Sequence, residues 1–205
     1  MTTKLKALCL TALLNLNCAS FVPYRVKYEN DRLMDYKNFV SSVYEIRTDS
    51  ITCGTGFVYQ DKIVTANHII DNGEKAFISN GDETRELKVL NRHETLDLLV
   101  ADNPFHVKSD FGIAEARIGT AYIIGNSECG GLNFREVQVT NIHSGFNWAD
   151  NEFAVEGKIN RGDSGSPVFV IQDGKPYVIG VLVSKRVDKD SGTAVKIGKI
   201  KEDLE

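Results

Sequence analysis

The chain has little of what marks metal centres, nucleic-acid grooves or membrane spans. Its 205 residues include only four cysteines and four histidines, with no Cys-x-x-Cys pair and no histidine cluster, so no metal site is predicted. No run of lysine or arginine occurs and the net charge is −4, which leaves a phosphate backbone without a broad electrostatic partner. The composition therefore argues against nucleic acid as a partner.

The first 20 residues have the pattern of an export signal. Two lysines precede an apolar run at residues 7–14, and small residues follow at 18–20. We expect this signal, residues 1–20, to be cleaved, and the mature chain to be exported to the periplasm or outside the cell without an integral membrane span. A short buried helix is one alternative. In another, Cys18 carries a lipid anchor, although residues 15–17 are a poor match to the small residues that precede such a cysteine.

Removal of that signal would leave two cysteines, Cys53 and Cys129. An exported protein with one such pair can form one disulfide, and two free buried thiols are the alternative. The residues alone leave both open.

From residue 43 onward, short β-rich runs alternate with turn residues, and 42% of the chain is hydrophobic, enough for a sizeable core. Asn-Gly and Asp-Gly pairs favour tight hairpin turns, because Asn, Asp and Gly tolerate the positive φ that these turns require. Short helices are expected only near the two ends. The pattern predicts an all-β sandwich or barrel. The predicted strands cover residues 56–59, 62–65, 76–78, 96–100, 121–124, 137–142, 153–155, 168–171 and 177–183, and the predicted helices residues 31–40 and 200–204.

The hexapeptide GDSGSP at residues 162–167 is the sharpest chemical feature. Its glycines allow a tight turn that exposes one hydroxyl and brings backbone N–H groups close to a bound carbonyl. In that geometry Ser164 is a nucleophile, and the N–H groups of Gly162 and Ser164 form an oxyanion hole. A surface loop of ordinary turn residues is the alternative.

A serine hydroxyl needs a base at neutral pH, and His68 directly follows a predicted strand. Asp97 lies in the apolar run at 96–100, where a buried carboxylate without a partner would be costly. A hydrogen bond from His68 to Asp97 would explain both residues and would turn the second ring nitrogen towards Ser164. For each residue considered alone there is an alternative: His68 as a hydrogen-bonded structural residue, and Asp97 as an exposed strand-end residue.

The motifs TANH at 65–68, DLLV at 97–100 and GDSGSP, in the order His, Asp, Ser, resemble the chymotrypsin-like serine peptidases over roughly residues 42–198. Within that superfamily, GTGF at 54–57 and INRG at 159–162 are similar to bacterial HtrA-like (Deg) proteases. The run SGSPVF, which begins at Ser164, is also similar to glutamyl endopeptidases.

The resemblance implies two perpendicular six-stranded antiparallel β-barrels and a short C-terminal helix. The first barrel, residues 42–110, would carry His68 and Asp97, and the second, residues 111–205, would carry Ser164. Residues 21–41 would form an N-terminal extension.

Two departures from the family bear on the site. The chain ends soon after the second barrel, which leaves no room for the PDZ domain typical of HtrA-like proteases. The Ile-Val-Gly-Gly start of activated digestive enzymes is also missing, so Asp163 has no evident ammonium partner. Lys158 and Arg161 are the candidates for that part.

The resemblance also assigns substrate contacts. Lys158, six residues before the nucleophile, would lie near the base of the primary specificity pocket, where it favours an acidic side chain or else points to solvent. Val183, Ser184 and Lys185 would supply the strand edge that pairs with the substrate backbone. Leu182 stands where glutamyl endopeptidases usually carry a pocket histidine, which argues against transferring their specificity.

The same resemblance brings Cys53 and Cys129 into loops that approach the active site, where a disulfide would brace the oxyanion region. The sequence as a whole predicts a serine endopeptidase that hydrolyses peptide bonds of a protein or peptide substrate through an acyl-enzyme, with no metal or organic cofactor. The alternatives are an inactive protease-like module that binds peptides or a partner protein, and a processing peptidase dedicated to one protein.

Overall fold

The computed structural model describes residues 26–142, 150–186 and 190–204. The predicted export signal, including Cys18, lies outside the described residues. No helix within those three ranges is long and apolar enough to cross a membrane.

The described residues form fifteen strands, one short α-helix and several 3₁₀ segments. The strands are β1 Lys27–Tyr28, β2 Val43–Thr48, β3 Cys53–Tyr59, β4 Lys62–Ala66, β5 Ala76–Ser79, β6 Thr84–Glu86, β7 Val89–His93, β8 Leu98–Asp102, β9 Gly112–Ile113, β10 Gly119–Asn126, β11 Leu132–Asn141, β12 Glu152–Glu156, β13 Pro167–Gln172, β14 Lys175–Lys185 and β15 Ser191–Lys196. The helix α1 is Lys201–Leu204, and the 3₁₀ segments are Asp31–Ser42, Asn67–Ile69, Glu94–Leu96, Ser127–Cys129 and Ile197–Ile200.

The strands make two sheets. The N-terminal sheet has the order β6-β5-β2-β3-β4-β8-β7, with every neighbouring pair antiparallel. In the C-terminal sheet the order is β10-β13-β14-β15-β12, and β11 pairs with both β10 and β12, so six strands close into a barrel. Strand β1 adds parallel to β11, and β9 adds parallel to β14.

The expectation of an all-β fold of two barrel-like sheets with a short C-terminal helix is therefore confirmed. The N-terminal sheet differs in detail, because its seven strands curl without the closing pair that the C-terminal barrel has. The boundary predicted at residues 110 and 111 falls in the connection between β8 and β9. The expected helix at 31–40 is a 3₁₀ segment, and the terminal one corresponds to α1.

Aromatic side chains join the two sheets into one core. Phe57 of β3 and Phe169 of β13 are both fully buried, and Phe111 from the connection packs against each, with ring centroids 6.0 and 5.4 Å apart. A separate cluster fills the C-terminal barrel around Phe153. Such close packing fixes the ends of β4 and β13 relative to each other, and these are the strand ends next to the predicted site residues.

Candidate active site

His68 and Asp97 meet at the edge of the N-terminal sheet. His68 lies in the 3₁₀ turn Asn67–Ile69 that directly follows β4, and its ring Nδ1 is 2.6 Å from Asp97 Oδ2. The backbone N–H of His68 donates to the other carboxylate oxygen at 2.9 Å. One carboxylate thus holds both the backbone and the ring of the histidine, which leaves Nε2 as the outward nitrogen.

Asp97 occupies a different local structure from the one its sequence predicts. Strand β8 begins at Leu98, and Asp97 is the left-handed C-cap of the preceding 3₁₀ turn, with φ 53° and ψ 38°. Aspartate is among the few residues that tolerate this conformation. Its side chain is 33% exposed, so the expectation of a carboxylate buried within an apolar strand was wrong. The expected histidine partner is the one that the structure shows.

The turn that carries His68 is also held from its other side, by Arg92 of β7. One guanidinium nitrogen of Arg92 donates to Asn67 Oδ1 and to the Ile70 carbonyl, each at 2.7 Å. Arg92 was missed at the sequence level, because its position in a half-buried edge strand carries no motif.

The loop at residues 162–167 packs against the strand end that leads to His68. Gly165 has φ +82°, and a Cβ there would lie against the Thr55 carbonyl and 3.1 Å from the Ala66 backbone nitrogen. Only glycine fits so close to the other sheet in this conformation. Ser164, the preceding residue, is half-buried.

The backbone at the start of the loop is oriented by one hydrogen bond from another segment. The Arg161 carbonyl accepts the N–H of Glu128 at 2.6 Å, and because a trans peptide is planar, the N–H of Gly162 points the opposite way. No described residue accepts a hydrogen bond from the N–H of Gly162 or Ser164. Within the described part of the chain, neither N–H is therefore used in the folded protein.

The ionic partner of Asp163 is Arg135 of β11, whereas Lys158 and Arg161 have exposed side chains. Asp163 Oδ1 is 2.6 Å from Arg135 Nη2, and its other oxygen accepts the Asn160 N–H at 2.7 Å. Burial raises the pKa of the Asp163 carboxyl, and the guanidinium opposes that rise. The expected partners were wrong, because β11 crosses beneath the loop and no local pattern reports that crossing.

Cys53 and Cys129 are joined in a disulfide that links β3 to the 3₁₀ turn Ser127–Cys129. Glu128, the neighbour of Cys129, supplies the N–H that orients the Arg161 carbonyl. The disulfide therefore lies one residue from a contact that orients the peptide before Gly162.

The predicted substrate edge is the end of β14. Up to Leu182 this strand bonds to the segment that carries Ser164, through Leu182 N–H to the Ser166 carbonyl and Gly165 N–H to the Leu182 carbonyl. Beyond it, Ser184 and Lys185 pair with β15, while no described residue pairs on their other side. That open side can take an added strand.

Lys158 is exposed, and among the described residues its backbone carbonyl alone is bound, by Arg135 at 2.7 Å. The next residue, Ile159, is buried, and a Cβ at Gly192 would be 3.5 Å from Ile159 and 3.1 Å from Leu182. Among the described side chains, no group of three or more His, Cys, Asp or Glu residues is arranged to hold a metal ion.

Comparison with known proteins agrees with this architecture. A family profile described as "Trypsin-like peptidase domain" matches residues 54–181. The active form of the Rv3671c protease from M. tuberculosis superposes with a TM-score of 0.70 at 19% identity, covering 89% of each chain. A serine endoprotease from Yersinia pestis gives 0.69 at 18% identity, over 85% of this chain and 66% of its own. The HtrA-type protease AlgW gives 0.69 at 14% identity, over 82% and 60%. No curated protein sequence matches the chain.

Proposed function

Since this chain belongs to the trypsin-like peptidase family and is a serine-type endopeptidase, we propose that Ser164, His68 and Asp97 are its catalytic triad. The observation that carries the proposal is that the Asp97 carboxylate is hydrogen-bonded to both the ring and the backbone N–H of His68. The close packing of Gly165 against Ala66 supports the approach of Ser164 to that histidine.

The reaction follows from these positions. His68 Nε2 takes the Ser164 hydroxyl proton as Oγ attacks the carbonyl carbon of the scissile bond, and Asp97 stabilises the imidazolium that forms. The N–H groups of Gly162 and Ser164 donate to the oxygen that becomes negative. His68 then gives its proton to the leaving amine, which leaves an acyl-enzyme on Ser164. Water, activated by the same histidine, hydrolyses that ester and restores the hydroxyl.

The buried ion pair of Asp163 and Arg135 supports a loop at residues 162–167 that takes its active form without cleavage of the chain. Arg135 already supplies the positive partner of Asp163, so the proposed mechanism needs no N-terminal ammonium released by cleavage. The Asp163 carboxylate also accepts the Asn160 N–H, which ties the loop to the segment just before it.

Substrate binding is proposed along the free side of Val183, Ser184 and Lys185, as an added antiparallel strand. Lys158, expected near the base of the primary pocket, is exposed, and it is proposed as a specificity residue whose ammonium would favour an acidic substrate residue. Peptide-library profiling of the wild type and Lys158→Glu tests this point, with Lys175→Glu as the charge-matched control, at the opposite end of β14 from the proposed substrate edge. An unchanged preference in Lys158→Glu would rule Lys158 out as a specificity residue.

Export of the mature chain after loss of residues 1–20 is also proposed. The disulfide supports it, because such bonds persist in oxidising compartments. Intact-mass measurement of the protein recovered from each cell fraction tests it. A full-length chain that stays in the cytoplasm would contradict export.

The proposed triad is tested with a fluorophosphonate probe, which reacts with an activated serine hydroxyl. We expect the wild type to be labelled and Ser164→Ala to be unlabelled, with Ser166→Ala as a matched control that keeps the label. A wild type that folds and resists the probe would instead favour the peptide-binding module. Two further assays then measure the cleavage of casein and of each protein in a panel of candidate substrates. A general peptidase cleaves casein, whereas a peptidase dedicated to a single protein cleaves only that protein.

A further inference from the structure

Thr55 in β3 is fully buried between the two sheets, and it contacts the nucleophile loop through both its backbone and its side chain. Its backbone N–H donates to the Ser164 carbonyl at 2.8 Å, and its hydroxyl donates to the Gly162 carbonyl at 2.9 Å. The hydroxyl oxygen accepts the backbone N–H of Asn126 at 2.8 Å. One residue of the N-terminal sheet therefore holds two carbonyls of the loop, one on each side of Asp163.

The direction of these bonds is fixed by the groups involved. A backbone N–H can only donate and a carbonyl can only accept, so the Thr55 hydroxyl must point its proton at Gly162 while it accepts from Asn126. The backbone bond to Ser164 would persist with any residue except proline at position 55. The hydroxyl bonds require threonine or serine.

These bonds bear directly on the oxyanion donor at Gly162. The peptide before Gly162 is held because its carbonyl, that of Arg161, accepts the Glu128 N–H. The peptide after Gly162 is held because its carbonyl, that of Gly162, accepts the Thr55 hydroxyl. Gly162 has φ +89° and lacks the side chain that would otherwise limit its rotation. Its two planar peptides are thus kept in place from outside, one by each anchor.

We propose that Thr55 is a positioning residue. Its hydroxyl holds the Gly162 carbonyl, and with it the peptide after Gly162, and this helps to keep the N–H of Gly162, in the peptide before it, where it meets the oxygen of the transition state. This inference rests on the proposed function of the loop. Negative charge develops on that oxygen only as the bond to Ser164 forms. Loss of the Thr55 hydroxyl therefore lowers kcat and leaves KM nearly unchanged.

The test compares Thr55→Val with Thr55→Ser. Valine has nearly the shape of threonine but leaves Gly162 and Asn126 without their shared partner, whereas serine keeps both bonds. For Thr55→Val we expect kcat to fall roughly 10- to 100-fold, less than the ~10²- to 10³-fold for removal of an oxyanion donor. KM should stay within about threefold, and Thr55→Ser should stay within about threefold in both constants.

A second readout separates positioning from a general loss of structure. A peptide boronate forms a tetrahedral adduct on the serine, so its affinity should fall in Thr55→Val by the same factor as kcat/KM. An unreactive substrate peptide should bind Ser164→Ala and the Thr55→Val/Ser164→Ala double variant with the same Kd. Equal weakening of both ligands would mean that Thr55 is merely structural.

Ile78→Val is the control for stability, because Ile78 is fully buried in β5 of the same sheet and pairs away from the loop. Thermal unfolding measures how much stability Ile78→Val loses, and its kcat shows what a loss of that size does to catalysis. If Thr55→Val fails to fold, Thr55→Ala carries the same comparison with a smaller side chain. A folded Thr55→Val with the kcat and boronate affinity of the wild type would overturn the inference about Thr55. The proposed triad would not be affected, because it is tested separately by the probe with Ser164→Ala.

Discussion

Among single residues, the buried pair of Arg135 and Asp163 matters most for the stability of the site. Asp163 is fully buried and Arg135 nearly so, and two charges removed from water in this way depend on each other. Removal of one partner leaves the other uncompensated, directly beside Ser164. The nucleophile loop should therefore respond to a change at Arg135 although that residue lies on another strand.

Arg135→Met is expected to destabilise the protein in a pH-dependent way. Burial already raises the pKa of Asp163, and without the guanidinium that pKa rises further. A carboxyl with a raised folded pKa favours the folded state while it is protonated and loses that contribution as the pH rises through it. The loss should approach ~3–5 kcal/mol near neutral pH and shrink in acid.

Thermal unfolding of the wild type and Arg135→Met at about pH 5 and about pH 8 checks this expectation. The gap in Tm should be wider at the higher pH. The double variant Arg135→Met/Asp163→Asn has no buried charge left and should lose that dependence. A gap of equal size at both values would show that Asp163 does not titrate against Arg135.

At the scale of elements, the 3₁₀ turn Ser127–Cys129 connects the two sheets through the Cys53–Cys129 disulfide. Both Glu128 and Cys129 have positive φ, of 57° and 56°, which non-glycine residues adopt at a cost. The covalent link to β3 helps to keep this turn in place. Through the Glu128 N–H the same turn orients the Arg161 carbonyl.

Replacement of both cysteines by serine should lower both stability and activity. The bond closes a loop with a sequence separation of 76, for which the chain-entropy relation gives about 4.5 kcal/mol. Urea unfolding, with and without a reducing agent, measures the stability, and the rate of fluorophosphonate labelling measures the oxyanion geometry. The double serine variant itself should be insensitive to the reductant. Labelling at the wild-type rate would show that the turn needs no brace.

At the scale of the whole molecule, the 3₁₀ segment Asp31–Ser42 packs across both sheets. Leu33 and Val40 from it are buried in the core cluster that the sheets share, and Phe39 packs edge-on against Phe169 of the C-terminal barrel, with centroids 6.2 Å apart. The segment therefore belongs to the folded unit. A fold built this way should unfold as one cooperative system.

Leu33→Ala is expected to destabilise both sheets together, by about 2–5 kcal/mol, because it leaves a cavity under this segment. Urea unfolding followed by far-UV circular dichroism and by tyrosine fluorescence should give a single shifted transition in both signals. Met34→Ala, at an exposed neighbouring position, serves as the control and should leave the midpoint unchanged. Two separated transitions would show that the sheets are independent.

The sequence determined the elements and the residue types of the site. Period-2 hydrophobicity and Asn-Gly or Asp-Gly turns are local properties, and the turn at Asp173 and Gly174, with φ 50° and 73°, is of the kind that they predict. His68 and the GDSGSP loop were found because their chemistry needs particular residues at short spacing. Asp97 was found for a partly wrong reason, since it caps a turn and is not buried in a strand.

Only the tertiary structure decided which distant groups hold the site together. Arg135 and Arg92 lie in no motif, and the GTGF motif that contains Thr55 does not show which groups its side chain binds. Each of the three acts on a segment that is well separated from it in the chain. Their partners follow from strand order and register, which depend on how two whole sheets pack. Local patterns determine which residues face inward, but the choice among inward-facing partners is a global property of packing, and a single sequence does not reveal it.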